Sequence, residues 1–196
     1  RLAVSGTVND LLMRGARPKL LSSSFIIEEG FPLGELERIV KSMKLACTEA
    51  QVKIVTGDTK VVPKGGVDGL FINTSGVGLV SCSTTNISIS NARPGDLVLL
   101  SGTMGDHGLA ILASRENFSF DPPLESDCAP LVEIVKVLGD FPHHVRVLRD
   151  PTRGGVAEVL HNIAQASKVG VEVFERVLPI KASVKLGCEM LGLDPL

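Results

Sequence analysis

Residues 54–62 read "IVTGDTKVV", in which two apolar dipeptides enclose a run that includes Gly57, Asp58, Thr59 and Lys60. The β-branched residues predict a buried strand. A Gly-Asp-Thr step after a strand predicts a tight turn with outward-facing N–H groups, and Asp58 adds an oxygen ligand that suits Mg²⁺ bridging phosphates. An ordinary β-turn, with Asp58 capping the backbone and Lys60 in solvent, is the open alternative.

The residues before this stretch predict a helix. In "GELERIVKSMKLACTEA", residues 34–50, apolar side chains recur at helical spacing with charged residues between them. This pattern is typical of an amphipathic helix of about four turns, which leads directly into the strand.

The order of helix and strand recurs twice further along the chain. A helix within residues 126–138, with Ser126 as its N-cap, precedes an expected strand at 145–148. A helix within residues 154–167 precedes an expected strand at 169–175. The pattern predicts an α/β to α+β fold.

The clearest internal boundary lies in "NARPGDLVLLSG", where Pro94-Gly95 predicts a turn before an expected strand at Leu97–Leu100. We place a domain junction near Ala92. The predicted domains are residues 1–92, with mixed strands and one long helix, and residues 93–196, in which strand and helix alternate.

The composition of the chain is that of an ordinary globular protein. Its 196 residues are 44% hydrophobic and 21% charged, with a formal net charge of -2. Seven Phe with no Trp or Tyr, together with near-neutral charge, argue against nucleic-acid binding. No apolar run reaches the length of a membrane span, and the first residues do not read as a signal peptide.

The four cysteines are Cys47, Cys82, Cys128 and Cys188, and none forms a C-x-x-C pair. This spacing does not support a zinc knuckle or a disulfide framework. We expect each to be a small buried hydrophobe, with the reduced thiols of a cytoplasmic protein.

Asp10 lies in "TVNDLLMRGARP" before an apolar pair, and we expect it at the N-terminus of a helix that ends at Gly15. An Asp in this position is usually an N-cap or a first-turn acid that interacts with the helix dipole. The open alternative is that Asp10 and Asp58 share a metal ion.

Two further glycine-rich stretches follow expected strands and open helices. They are "SGTMGDHG", residues 101–108, and "LRDPTRGG", residues 148–155. Such turns are natural anion sites, because unpaired N–H groups and the helix dipole point the same way. Neither a Walker A sequence nor a G-x-G-x-x-G fingerprint occurs.

Seven stretches, read in order, resemble the hydrogenase-maturation carbamoyl dehydratases, the family of hydrogenase expression/formation protein E. That family belongs to the superfamily of aminoimidazole ribonucleotide synthetase, selenophosphate synthetase and thiamine-monophosphate kinase. The stretches are "VSGTVNDLLMRGARP", "FIIEEGFP", "IVTGDTKVV", "FINTSGVG", "ARPGDLVLLSGTMGDHG", "RDPTRGGVAEVL" and "CEMLGLDPL". They keep the family's order and approximate spacing over nearly the whole chain.

The resemblance implies an ATP-dependent dehydration. In the family, a carbamoyl group is carried on the C-terminal cysteine, ATP activates its oxygen, and elimination yields a thiocyanate whose cyanide passes to the iron of a nickel–iron hydrogenase precursor. The resemblance also implies two domains with an ATP cleft between them, and a homodimer through the strands of the first domain. The implied partners are a carbamoyltransferase and an iron–cyanide assembly scaffold.

The resemblance also assigns site residues by position. Asp10 and Asp58 correspond to Mg²⁺ ligands, with Gly57 and Thr59 along the phosphate path. Lys60 corresponds to a catalytic residue that either removes a proton or neutralises phosphate charge, and both roles stay open. The second domain's face of the cleft is assigned His107, Arg149, Asp150, Thr152 and Arg153, whose ordinary roles are helix capping and an Arg–Asp pair.

Several family segments have no counterpart in the chain. These are the N-terminal G-D-D-A-A-V and T-D segments with further metal-binding acids, the N-E-G segment with a candidate catalytic Glu, and the substrate-carrying C-terminal cysteine. Cys188 does not replace that cysteine, because it falls within an expected helix. We therefore expect a fragment that is inactive by itself.

Two other functions remain open alongside the dehydratase. A small-molecule kinase of the superfamily, such as a thiamine-monophosphate kinase, is disfavoured by Lys60 and by "RDPTRGG". A non-catalytic nucleotide-binding scaffold for maturation partners is the other alternative.

Overall fold

The computed structural model describes residues 1–80 and 86–195, which form two compact units. One unit comprises Arg1–Ser88 and Ala129–Leu148, and the other comprises Ile89–Cys128 and Arg149–Leu196. The junction expected near Ala92 stays a prediction.

A three-stranded mixed sheet forms the centre of the first unit. Strand β1 (Ala16–Glu28) lies between β2 (Lys53–Val62), which runs parallel to it, and β3 (Leu70–Val80), which runs antiparallel. A parallel pair needs a crossover connection, and helix α2 (Leu33–Glu49) provides it. The helix predicted within residues 34–50 and the strand that follows it are confirmed.

Helices cover one face of this sheet. Helix α1 (Leu2–Met13) packs on β1 and β3 and buries Val4, Val8 and Leu12, which lie four residues apart on one side of the helix. Buried residues of α1, β1 and α2 form one hydrophobic core, which residues of α4 (Val132–Leu138) join from its margin.

The second unit is helical in its regular structure. It contains α3 (Asp106–Arg115), α5 (Gly155–Ser167), a short 3-10 helix at Glu175–Val177, and α6 (Ala182–Leu191). Its smaller core is built around Leu109, Val184 and Cys188. The helices expected after both glycine-rich stretches are therefore confirmed, as is the helical position of Cys188.

Three expected strands of the chain's second half are wrong. Residues 97–100, 145–148 and 169–175 have no strand structure, and Leu97 and Leu99 are largely exposed. A strand exists only where a neighbour exchanges backbone hydrogen bonds with it. Within residues 86–195 these segments have no such ladder, so their apolar composition alone does not make them strands.

Two expected helix starts are also wrong. Asp10 lies in the last turn of α1, because the apolar repeat that shapes this helix begins at Val4, well before it. Helix α4 begins at Val132 rather than after Ser126. The Ser126 hydroxyl instead accepts the Cys128 N–H at 3.1 Å, so it caps a local turn.

The described cysteines follow the expectation in part. Cys47 and Cys188 are buried, and burial raises the pKa of both thiols. Cys128 is partly exposed, and Cys82 lies outside the described residues. Across residues 1–80 and 86–195, every helix is too short or too polar to cross a membrane.

Candidate functional site

The Gly57-Asp58-Thr59 step lies in the middle of β2, so the predicted turn is wrong. The strand passes through it because residues 56–62 pair in continuous parallel register with β1. Gly57 is required for a different reason from the expected one. Any Cβ at this position would overlap the backbone oxygen of Ser23 in β1.

An extra residue in β2 sets which side chains share a face of the sheet. Leu21 pairs with Ile54 and Ser22 with Thr56, so Val55 is a bulge. Beyond it, Gly57 and Thr59 lie opposite Ser23 and Phe25 of β1. Phe25 packs against the core on the helix-facing side, so Gly57 and Thr59 share that side.

Asp58 and Lys60 lie on the other face of β2. They are two residues apart on an exposed strand, so their Cα atoms are separated by about 7 Å. The Asp58 carboxylate accepts the N–H of Thr59 at 2.8 Å. The strand thus presents a carboxylate and an ammonium side by side, away from the helix layer.

The structure does not place Asp10 with these residues. Asp10 is exposed at the C-terminal end of α1, which packs on β1 and β3 over the helix-covered face of the sheet. Among the residues that the structure describes, no three His, Cys, Asp or Glu side chains form a metal-binding group. Asp58 by itself fits a Mg²⁺ ion, which proteins often hold through one or two carboxylates plus substrate phosphates. The shared site of Asp10 and Asp58 stays a prediction.

The start of α3 is organised by the carboxylate of Asp106, whose burial and partners the sequence pattern did not reveal. Asp106 is 2% exposed, accepts the Thr103 hydroxyl at 2.5 Å and pairs with the Lys181 ammonium at 2.5 Å. The hydrogen bond to Asp106 raises the pKa of Lys181. Lys181 lies immediately before α6, far from Asp106 in sequence, so the residues around Asp106 could not predict this ion pair.

His107 lies beside this cluster in the first turn of α3. Its Nδ1 atom is 2.8 Å from the Ser126 hydroxyl, which also accepts the Cys128 N–H. The contact with Ser126 therefore fixes the orientation of the His107 imidazole, as is expected of a side chain that binds a ligand in a defined geometry. The assignment of His107 to ATP stays a prediction.

Four expected cofactor-binding residues precede α5. The Thr152 N–H donates to the Asp150 carbonyl oxygen at 3.0 Å in a tight turn, and the Arg149 and Arg153 side chains are exposed. These cations are available to an anion in this unit, and the assignment of Arg149, Asp150, Thr152 and Arg153 to ATP stays a prediction.

The N-terminus of α5 has an acid of its own. Gly154 adopts a left-handed conformation with φ 74°, and a Cβ there would overlap the Glu158 carboxylate. Glu158 therefore lies over the first turn, where negative charge is favourable. An incoming anion meets this carboxylate, which the pattern "RDPTRGG" does not reveal.

Comparison with known proteins identifies related chains. The model of the AIR synthase related protein N-terminal domain matches residues 1–80, and that of the C-terminal domain matches residues 93–196. A curated relative named carbamoyl dehydratase HypE, from Cupriavidus necator, is 53% identical over 195 residues, which are 100% of this chain and 55% of the relative. The chain thus spans little more than half of that relative's length.

Two solved structures are similar over the whole chain. A HypE–HypF complex contains a chain with 57% identity and a TM-score of 0.96, of which this chain covers 64%. A hydrogenase maturation protein HypE in complex with ATP has 51% identity and a TM-score of 0.93, and this chain covers 58% of it.

These matches confirm the resemblance that the seven sequence stretches indicated, together with the expected fold class. The two domain models cover all but a short interval of the chain. The chain belongs to the AIR synthase related protein family.

Proposed function

We propose that the full-length protein is an ATP-dependent carbamoyl dehydratase of hydrogenase maturation, acting in the cytoplasm. It converts the S-carboxamide of a C-terminal cysteine to a thiocyanate, which supplies the cyanide ligand of a nickel–iron hydrogenase. The observation that carries the proposal is 53% identity over the whole chain to a protein named carbamoyl dehydratase HypE. The HypE structure with bound ATP supports ATP as the co-substrate.

The chemical difficulty is that an amide oxygen is a poor leaving group. Transfer of the γ-phosphoryl group to that oxygen releases ADP, and the carbon–oxygen bond then breaks with phosphate as the leaving group. The amide nitrogen loses its two protons and forms the triple bond. The oxygen of the eliminated water therefore ends in phosphate, and the step needs charge neutralisation around the phosphoryl group.

Asp58 and Lys60 are the residues to which this chemistry assigns roles. The Asp58 carboxylate provides one ligand for Mg²⁺, which neutralises phosphate charge when bound. Lys60, on the same strand face, either takes a proton from the amide nitrogen or neutralises phosphate charge. The proton-transfer role requires a pKa lowered by burial or by a cationic neighbour in the full-length protein.

The remaining assignments follow the same proposal. Gly57 and Thr59 line the phosphate path, and Asp10 is the second proposed ligand of the metal, although within this chain it lies over the helix-covered face of the sheet and Asp58 on the other face. The ATP-binding residues of the second domain are His107, Arg149, Asp150, Thr152 and Arg153. We further propose a homodimer formed through strands of the first domain, consistent with the exposed face of its sheet.

Partners follow from the chemistry of the substrate. A carbamoyltransferase must load the cysteine, and an iron–cyanide assembly scaffold must accept the product. The structure of a HypE–HypF complex supports assembly of such proteins with a second maturation protein.

The test uses the full-length protein with a carbamoylated C-terminal cysteine. Wild type, Lys60→Ala and the matched control Lys53→Ala, which removes another exposed lysine of β2, are incubated with ATP and Mg²⁺. Mass spectrometry of the tail should show loss of one water in wild type and control. Loss of this product in Lys60→Ala with unchanged ATP binding would place Lys60 in the chemical step.

Two results would favour the alternatives. ATP turnover with thiamine monophosphate as acceptor, and no change in the tail, would indicate a superfamily kinase. ATP binding without turnover in the presence of the loaded tail would indicate a nucleotide-binding scaffold.

A further inference from the structure

The first turn of α3 contains a buried charge that the proposed chemistry leaves unused. Asp106 is 2% exposed, and both of its carboxylate oxygens have partners. One oxygen accepts the Thr103 hydroxyl and the other pairs with the Lys181 ammonium, each at 2.5 Å. A buried charge is costly unless it is paired and hydrogen-bonded, so these contacts hold Lys181 against the start of α3.

Backbone contacts place the turn before α3 against the segment that carries Lys181. The Met104 N–H donates to the Pro179 carbonyl oxygen at 2.9 Å, two residues before Lys181. Gly105 adopts a left-handed conformation with φ 81°, and a Cβ there would come within 2.8 Å of the Val184 side chain in α6. The turn therefore packs closely on residues 179–184.

A third stretch, residues 124–128, contacts the imidazole of His107, and we call it the Ser126 segment. The Ser126 hydroxyl lies 2.8 Å from Nδ1 of His107 and accepts the Cys128 N–H at 3.1 Å. Leu124 anchors the segment, because it packs against the core of the second unit, which includes Leu109 of α3. The orientation of His107 thus depends on how the start of α3 and the Ser126 segment are placed relative to each other.

The charge of Lys181 acts on both of these parts of the chain. The hydrogen bond to Asp106 raises the pKa of Lys181, and the negative charges of Asp127 and Glu125 add to this effect. Asp127 and Glu125 flank Ser126 in sequence. The ammonium therefore attracts the start of α3 through a direct ion pair, and the Ser126 segment through weaker interactions that solvent screens.

We propose that Lys181 is a positioning residue for ATP binding by the second unit, and that it keeps the start of α3 and the Ser126 segment in the arrangement that orients His107. The inference rests on the proposed function, in which His107 binds ATP. Lys181 acts through His107 rather than by touching ATP. An imidazole that is already held in its binding orientation loses less conformational entropy when ATP binds.

The test compares four variants of the full-length protein. Lys181→Met combined with Asp106→Asn removes the ion pair without leaving a buried charge, because Asn has the shape of Asp and can still accept the Thr103 hydroxyl. Lys181→Arg keeps the positive charge and is the rescue variant. Lys185→Met is the matched control, because Lys185 is exposed one turn further along α6 and forms no ion pair with any described residue. His107→Gln removes the imidazole itself.

Two quantities are measured for each variant, after far-UV circular dichroism has checked its folding. Isothermal titration calorimetry gives the affinity for ATP in the presence of Mg²⁺. NMR of protein labelled with ¹³C in histidine gives the imidazole signal of His107 without ATP, and the absence of that signal in His107→Gln assigns it. The NMR signal reports the surroundings of the imidazole directly, so a loss of global stability alone does not move it.

The combined variant should bind ATP about threefold to tenfold more weakly than wild type, which is the range expected for one lost hydrogen bond. Its His107 signal should shift, because the contact with Ser126 is no longer maintained. Lys181→Arg should retain most of the ATP affinity. Lys185→Met should match wild type in both measurements.

Three results would overturn the proposal. The combined variant binds ATP as tightly as Lys185→Met, or its ATP affinity falls while the His107 signal stays in place, or His107→Gln binds ATP as tightly as wild type. The proposed dehydration is decided by a different observation, which is the mass of the C-terminal tail in the wild-type protein. A tail that loses no water would refute the dehydration, and the ATP affinities would still decide the role of Lys181.

Discussion

Gly57→Ala is the substitution that most directly tests the packing of β2 against β1. A Cβ at residue 57 would overlap the backbone oxygen of Ser23, and backbone atoms cannot rotate away as a flexible side chain does. The two strands must therefore separate locally. Residues 56–62 pair continuously with β1, so the displacement also weakens the hydrogen bonds on either side.

The expected cost follows from these two effects. Overpacking at a closely packed position typically costs about 1–3 kcal/mol, and weakening a backbone hydrogen bond adds about 1 kcal/mol. We expect Gly57→Ala to lower the free energy of unfolding by about 2–4 kcal/mol. With a urea dependence of about 2 kcal/mol per molar, the midpoint falls by about 1–2 M.

The assay is urea unfolding of the full-length protein, followed by far-UV circular dichroism. Gly34→Ala is the matched control, because Gly34 lies in α2 and nothing comes within 4 Å of a Cβ at that position. That change should be neutral or stabilising by up to about 1 kcal/mol, since alanine is the better helix former. Equal midpoints for the two variants would refute the argument that Gly57 is required by close strand approach.

Three other predictions rest on particular contacts. Gly154→Ala should destabilise the protein, because residue 154 has φ 74° and its Cβ would overlap the Glu158 carboxylate. In a double-mutant cycle, adding Glu158→Ala should restore part of the lost stability, because it removes the overlapping carboxylate. Because the hydrogen bond to Asp106 raises the pKa of Lys181, the stability difference between wild type and Lys181→Met should be constant at neutral pH. It should disappear as the pH rises through the raised pKa, and a difference unchanged at strongly alkaline pH would contradict this. Because burial raises the pKa of Cys47, its alkylation rate should rise with pH at a higher midpoint in the folded protein than in urea, and coincident midpoints would oppose this.

Helices were predictable from the sequence because their pattern is local. The apolar repeat of residues 34–50 corresponds to α2 at Leu33–Glu49, and residues 154–167 correspond to α5 at Gly155–Ser167. Each repeat shows within a few turns which face will be buried. No knowledge of the partner element was needed.

The strands were less predictable because pairing is not local. The apolar residues 97–100 look like a strand, yet strand structure depends on a neighbour that local sequence does not specify. The same limit applies to Gly57. Its glycine suggested a turn, whereas the structure requires it for contact with Ser23 of another strand.

The candidate site was predictable in its residue types and only partly in its arrangement. Alternation along a continuous strand places Asp58 and Lys60 on one face, but the expected turn concealed this relation. The pairing of Asp106 with Lys181 joins positions far apart in sequence.

The most direct test of the central proposal is the mass of the carbamoylated C-terminal tail of the full-length wild-type protein, before and after addition of ATP and Mg²⁺. The proposal predicts loss of one water from the tail, with release of one ADP and one phosphate for each thiocyanate formed. ATP that binds, or is hydrolysed, while the mass of the tail stays unchanged would contradict it.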